Sequence, residues 1–284
     1  MNALKRKLND FNSKVISKSI KHNEKEVNYY VIGESNNQVL LFLTGGSGIA
    51  EPFFEYCLYF SKKYKVISLN YPECNTLNEI TNMIFNILKN EKAEDIFICG
   101  QSMGGIIAQV LLFKYPDLVK KIALCHTTTV TKQLQNYYAK KIKDNENNLS
   151  IIKPAPELVI KQATAHKVKL AIESHLSKNV EFWTELFTES IKKRTKQQLV
   201  TPILLMNDFA KSYCFNESSF KAYTDRVLII DSDADKAFTT EQKLALTNIF
   251  KGSDYKHFKN ESHMAIIESY DKYVNILDTF FKNN

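Results

Sequence analysis

The stretch Ile96-Phe97-Ile98-Cys99-Gly100-Gln101-Ser102-Met103-Gly104-Gly105-Ile106-Ile107-Ala108 joins an apolar run to a helix-like run through one serine flanked by glycines. The order it predicts is strand, sharp turn, helix, with Ser102 at the apex. A serine carried on such a turn needs neighbours without a bulky Cβ two residues before and two after, and Gly100 and Gly104 stand there. The turn lifts the hydroxyl above the sheet. The N–H groups that follow open a helix and face any negative charge that develops beside the serine, Met103 N–H first among them. Ser102 is therefore a candidate nucleophile that needs a base.

Outward from this point, alternation of strands and helices dominates. Residues 13–20 and 26–33 read as two half-buried strands at a sheet edge, with polar residues between them. Val39-Leu40-Leu41-Phe42-Leu43 is a continuous apolar run, as a parallel strand covered on both faces requires. Helix-like segments at 50–62, 76–90 and up to Tyr115 alternate with strand-like runs at 64–69, 95–99 and 122–125. This rhythm predicts an α/β fold with a doubly wound, mostly parallel sheet and a site at the carboxyl ends of its strands. From 131 to 221 the pattern is helical without a convincing strand, at 132–143, 156–174, 178–194 and 197–210. The strand pattern then resumes at 226–230 and 255–258, with a helix at 239–250 between them and a last helix at the end. Residues 131–221 thus read as a helical cap inserted between two strands of a core made of 1–130 and 222–284. The aromatic residues Phe182, Trp183, Phe187 and Phe209 are expected to pack that cap.

The loops at the strand ends carry the chemistry. Thr44-Gly45-Gly46-Ser47-Gly48 follows the first buried strand but lacks the Gly-Lys-Ser/Thr ending or Gly-x-Gly-x-x-Gly spacing of a phosphate loop. Gly46 is better suited to give a second N–H to an oxyanion site. Asp231-Ser232-Asp233-Ala234-Asp235 begins like a calcium loop but lacks its later glycine and glutamate, so one of these acids is expected to orient a histidine, and no metal or other cofactor is implied. His263, in the loop Asn260–Met264, is the natural partner of Ser102. His126 also ends a strand and is its rival, although a histidine there more often lines a pocket.

Composition narrows the class. With 284 residues, 44% hydrophobic and 24% charged, the chain can bury a substantial core. The net charge of +7 comes from lysines spread along the whole chain rather than from a basic cluster interleaved with aromatic residues, which argues against nucleic acid as a partner. The five cysteines, Cys57, Cys74, Cys99, Cys125 and Cys214, are odd in number, widely separated and mostly in apolar runs. They suit a reducing compartment rather than a disulfide or metal framework. No signal-like segment or membrane span is read, so a cytoplasmic location is expected.

Serine, acid and histidine occur in that order along the chain. Together with the Gly100–Gly105 segment, the Leu-Thr-Gly-Gly-Ser-Gly loop, the acid cluster after an apolar strand and Ser262-His263-Met264, this order resembles the α/β-hydrolase superfamily over nearly the whole chain. The resemblance implies a nucleophile elbow at Ser102 and a triad completed by His263. Laying the family's x-Gly-x-x-Asp pattern over this chain puts Ser232 at the glycine and Asp235 at the acid, ahead of Asp233 and Asp231. It also implies an oxyanion hole of Gly46 and Met103 and a small-molecule acyl substrate, an ester or thioester, cleaved through an acyl-enzyme. The same triad serves peptidases, acyltransferases, carbon–carbon hydrolases and lyases, and the fold also carries silent binding proteins. Thr44 and Ser47 replace the histidine and proline that many members carry in the oxyanion loop, which loosens the likeness to proline iminopeptidases.

Overall fold

The computed structural model describes residues 3–22 and 25–282. Residues 1–2 and 283–284 of the expected core, and residues 23–24 between the first two strands, lie outside the described residues. In chain order the elements are α1 (Ala3–Lys14), β1 (Ile16–His22), β2 (Lys25–Ile32), β3 (Val39–Leu43), α2 (Phe54–Phe60), β4 (Lys65–Leu69), α3 (Leu77–Asn90), β5 (Ile96–Gln101), α4 (Met103–Lys114) and β6 (Val119–Cys125). Five helices follow: α5 (Gln135–Ile152), α6 (Glu157–His175), α7 (Val180–Lys192), α8 (Lys196–Ser212) and α9 (Glu217–Phe220). The chain closes with β7 (Val227–Ser232), α10 (Thr240–Ile249), β8 (Asp254–Phe258), α11 (Ala265–Glu268) and α12 (Tyr270–Lys282).

The eight strands form one sheet in the order β1-β2-β4-β3-β5-β6-β7-β8. β1 and β2 pair antiparallel, β2 joins β4 antiparallel, and every other pairing is parallel. The central strands β3, β5 and β7 are buried along their whole length, as their unbroken apolar sequences require. Alternate residues feed two cores. Leu41, Leu43, Ile96 and Ile98 meet Ile80, Met83, Ile84 and Ile87 of α3 together with Ile106 and Ile107 of α4. Leu40, Phe42, Phe97 and Cys99 meet Phe54 and Phe60 of α2 and Leu277 and Phe281 of α12. Because the strands from β3 onward run parallel, the loops after β3, β5, β6, β7 and β8 all emerge at one edge.

Three expectations need correction. Residues 13–14 end α1 rather than begin a strand, and Val15 N–H still bonds Phe11 O at 2.8 Å. α1 itself was not expected, and Phe11 is its single buried side chain. The segment 50–62 is a 3₁₀ turn at Glu51–Phe53 followed by the shorter α2. Finally, Phe182 and Trp183 do not pack among the helices of 131–221 alone. Their rings lie 6.0 and 5.9 Å from that of Phe54, so α7 is fixed to α2 of the sheet layer. Among the described residues no helix is long and apolar enough to cross a membrane.

Candidate active site

Ser102 sits between β5 and α4 with φ 54° and ψ −115°, in the left-handed half of backbone space where a non-glycine residue is strained. Its surroundings hold it there. Ser102 N–H bonds Cys125 O of β6 at 2.9 Å, and Thr127 Oγ donates to Ser102 O at 2.7 Å. A Cβ at Gly100 would lie 2.5 Å from Gly104 O, and one at Gly104 would lie 2.0 Å from Leu43 O. These glycines let strand, turn and neighbouring strand pass at distances no side chain permits.

The structure brings together the three residues singled out from the sequence. His263 Nε2 lies 3.0 Å from Ser102 Oγ, and His263 Nδ1 lies 3.0 Å from Asp235 Oδ2. Asp235, at the end of the turn after β7, is buried, while the His263 side chain retains 22% of its exposure. A carboxylate only accepts, so Nδ1 of His263 carries the proton and Nε2 is left to accept one from Ser102. Burial pushes the Asp235 carboxyl up, but the imidazoles bonded to it outweigh burial and hold it below the ordinary carboxylate range.

The other two acids of the cluster are spent elsewhere. His257 of β8 lies between them, its Nδ1 2.6 Å from Asp231 and its Nε2 3.0 Å from Asp233. Ser232, which stands where the family pattern has glycine, uses its hydroxyl to accept from Ala234 N–H and Glu261 N–H at 3.3 and 3.0 Å. It thereby ties the acid turn to the loop that carries His263.

His126 departs from expectation. It does not line a pocket: it is 1% exposed, with φ 46°, and its Nδ1 lies 2.9 Å from Asp235 Oδ2, the same oxygen that His263 uses. Its Nε2 lies 2.6 Å from the hydroxyl of Tyr273 on α12. Sequence reading missed Tyr273, because it falls on the apolar stripe of the last helix with Val274, Leu277 and Phe281 and reads as core. The ligand-type atoms of His126, Asp235 and His263 all lie within 4.8 Å of one another, which is close enough for a metal ion. An ion there would compete with the two Nδ1–H bonds that the carboxylate already accepts.

Above Ser102 is a cavity of about 420 Å³, within the range of small-molecule sites. Gly46 and Met103 border it beside Ser102. A Cβ at Gly46 would meet nothing within 4 Å, so this backbone faces open space. Met103 is the first residue of α4, where N–H groups have no intrahelical acceptor. The remaining walls come from two sources. Pro202, Ile203 and Met206 of α8 with Phe238 form an apolar side, and Tyr137, Tyr138, Lys141, Asn145 and Asn148 of α5 with Lys167 of α6 form a polar one.

A parallel-centred sheet with a strained serine at a strand end, a histidine on its hydroxyl and a buried carboxylate behind the histidine defines the α/β-hydrolase class of proteins. The family model for the alpha/beta hydrolase fold matches residues 38–270, and the chain belongs to that family. Its backbone is similar to a hydrolase from Pseudomonas aeruginosa PA01, with a TM-score of 0.72 at 12% identity over 94% of this chain and 98% of that one. It is similar also to the enol-lactonase from Burkholderia xenovorans LB400, with a TM-score of 0.68, 16% identity and coverage of 94% and 100%. The naproxen esterase of Bacillus subtilis gives a TM-score of 0.66, 14% identity and coverage of 98% and 96%. No curated protein matches the chain in sequence. At these identities the likeness is one of fold.

Proposed function

We propose that the chain is a serine hydrolase that cleaves a carboxylic ester or thioester of a small acyl substrate through an acyl-enzyme. The observation that carries this reading is the continuous chain of contacts from Ser102 Oγ through His263 to Asp235, each 3.0 Å long, at the floor of an accessible cavity. A serine hydroxyl is a poor nucleophile until an imidazole takes its proton. In the proposed cycle His263 Nε2 removes that proton as Ser102 Oγ attacks the carbonyl carbon, and Asp235 stabilises the imidazolium and keeps its ring in place. The carbonyl oxygen takes up negative charge against the N–H groups of Gly46 and Met103. His263 then protonates the departing alkoxide or thiolate. A water molecule repeats the sequence on the acyl-enzyme and frees Ser102. Residues 131–221 act as the cap, with α5, α6 and α8 shaping the acyl site. That two of the fold's neighbours are named for lactone and ester chemistry agrees with this choice.

The test is covalent labelling with a fluorophosphonate probe alongside turnover of a short p-nitrophenyl ester. Ser102→Ala is expected to abolish labelling and to lower turnover by at least about a thousandfold. Labelling at another residue, or an active Ser102→Ala protein, would overturn the assignment.

A further inference from the structure

Asp235 serves two imidazoles through one oxygen, although a serine–histidine–acid site requires only one. We propose that His126 is a positioning residue for this site, fixing the Asp235 carboxylate and sharing its charge so that His263 meets an acid of set direction and moderated strength. The proposal rests on the reading of Ser102 as a nucleophile activated by His263.

The arrangement has a defined proton order. Asp235 Oδ2 accepts from the Nδ1–H groups of both His126 and His263, and Oδ1 accepts from Ala237 N–H at 2.9 Å. With its proton on Nδ1, His126 must accept at Nε2, and the partner there is the Tyr273 hydroxyl at 2.6 Å. Burial pushes the Tyr273 phenol up, so it stays a donor, and by donating it locks the tautomer of His126. A relay of fixed direction runs from α12 through the loop after β6 to the turn after β7: Tyr273 to His126 to Asp235. The rings of His126 and His263 stand nearly perpendicular, 6.2 Å apart, so the two donors reach Oδ2 from different sides.

Packing alone gives a poor account of this residue. A buried imidazole could be replaced by an apolar side chain if it only filled space, and φ 46° is an unfavourable backbone for histidine in either case. The conformation persists because both ends are tied: His126 N–H bonds Ile230 O at 2.8 Å, and both ring nitrogens have partners. Strain held in place beside a reacting group is where a positioning role is expected. The titratable groups facing His126 are Asp235, His263 and Tyr273 in direct or ring contact, with Glu261 coupled through its charge; Asp231 and Cys125 act on Tyr273 from behind.

Two consequences follow from removing the His126 donor. The carboxylate keeps two donors instead of three and its orientation loosens, which lowers kcat. Its undivided charge then falls on His263, which favours the imidazolium and moves the acid limb of the pH–rate profile to higher pH.

The experiment compares His126→Leu, His126→Asn and Tyr273→Phe with the wild type. It measures kcat and KM for a p-nitrophenyl ester, the rate of fluorophosphonate labelling across pH, and the downfield NMR signals of carboxylate-bound imidazole N–H protons. His126→Leu is expected to lose about tenfold in kcat, the scale of one hydrogen bond to a charged group, with little change in KM and with the acid limb raised. His126→Asn keeps an N–H near the Nδ1 position and is expected to recover most of the rate and the original limb. Tyr273→Phe, which frees the tautomer but leaves the ring, is expected to lose about twofold to threefold on the same hydrogen-bond scale. In the wild type His126 and His263 should each contribute such a signal, beside those of His257 on Asp231 and Asp233, and His126→Leu should lose one signal.

A folded His126→Leu protein with wild-type labelling rate and pH profile would overturn the proposal. So would a His126→Asn protein as slow as the leucine variant, since that marks a packing effect. If His126→Leu does not fold, the asparagine and Tyr273→Phe arms decide on the same criteria. A wild type that neither labels nor turns over ester would sink the hydrolase reading instead, and the loss of one imidazole N–H signal in a His126 variant would still decide whether two imidazoles hold the acid.

Discussion

At Asp235 a buried carboxylate remains charged because three N–H groups point at it, from His126, His263 and Ala237. Asp235→Asn replaces an acceptor-only group by one that also donates, so His263 is free to adopt the tautomer that cannot take the proton of Ser102. Ester turnover is expected to fall by about 10⁴-fold with the fold retained, and a loss below tenfold would contradict the role given to this acid. At Gly104 the constraint is steric rather than electrostatic. An added methyl would stand 2.0 Å from Leu43 O and 2.8 Å from Thr44 O, both backbone atoms of β3 or the loop after it, so relief requires α4 to move away from β3. Gly104→Ala is expected to cost at least about 3 kcal/mol, read as a lower denaturation midpoint or as loss of soluble protein. Gly46→Ala, where a Cβ meets nothing within 4 Å, serves as the control for stability.

Among the elements, α5 and α6 set the chemistry of the cavity wall. On the outer faces of these helices lysines find acids: Lys161 with Glu157 at 2.8 Å, Lys169 with Glu173 at 3.7 Å, and Lys211 of α8 with Glu146 at 2.8 Å. Lys141 and Lys167 border the cavity instead, where the lining contains no acid. An ester bearing a free carboxylate is therefore expected to be cleaved in preference to its neutral diester, monomethyl against dimethyl adipate, by about threefold to tenfold at low salt. The preference should shrink as salt is added, and the Lys141→Gln/Lys167→Gln protein should show a ratio near one; equal rates in the wild type would contradict the charge argument. The helices that carry these lysines were legible in outline, because their apolar spacing is helical, but which face meets the cavity was not. The central strands were legible because burial on both faces leaves an unbroken apolar run, as in Val39–Leu43 and Ile96–Cys99. α1 was not, since a helix burying only Phe11 leaves no stripe. The same logic divides the site. Ser102 announces itself through the glycines its backbone needs and His263 through chain order, whereas the tie of His126 to Asp235 and Tyr273 joins residues 109 and 147 positions apart and leaves no local pattern.

For the molecule as a whole, two networks anchored on β7 and the turn after it bound the pH range of greatest stability from opposite sides. Asp235, with its carboxyl held below the ordinary range in the folded state, contributes stability that is present above about pH 4 and is lost as pH falls through its folded value. His257, on edge strand β8, has the opposite sign. Its bond to Asp231, aided by Asp233, holds the imidazole above its ordinary value. A group raised on folding contributes fully below about pH 6.5, the unfolded value, and that contribution is lost as pH rises through the folded one. These contacts pin β8 to β7 at the sheet edge, where strand pairing on the far side is missing. Denaturation midpoints measured from pH 4 to 9 are therefore expected to decline on the alkaline side in the wild type. In His257→Gln, which keeps a neutral hydrogen-bonding group, that decline should flatten while the acid side is unchanged. The side chain of His257 is 35% exposed, so solvent screens the interaction and the effect should be small, readable as a difference between the two proteins rather than as an absolute slope. Parallel alkaline slopes in the two proteins would show that β8 does not depend on a charged His257, and the pinning of this edge would then rest on the backbone ladder alone.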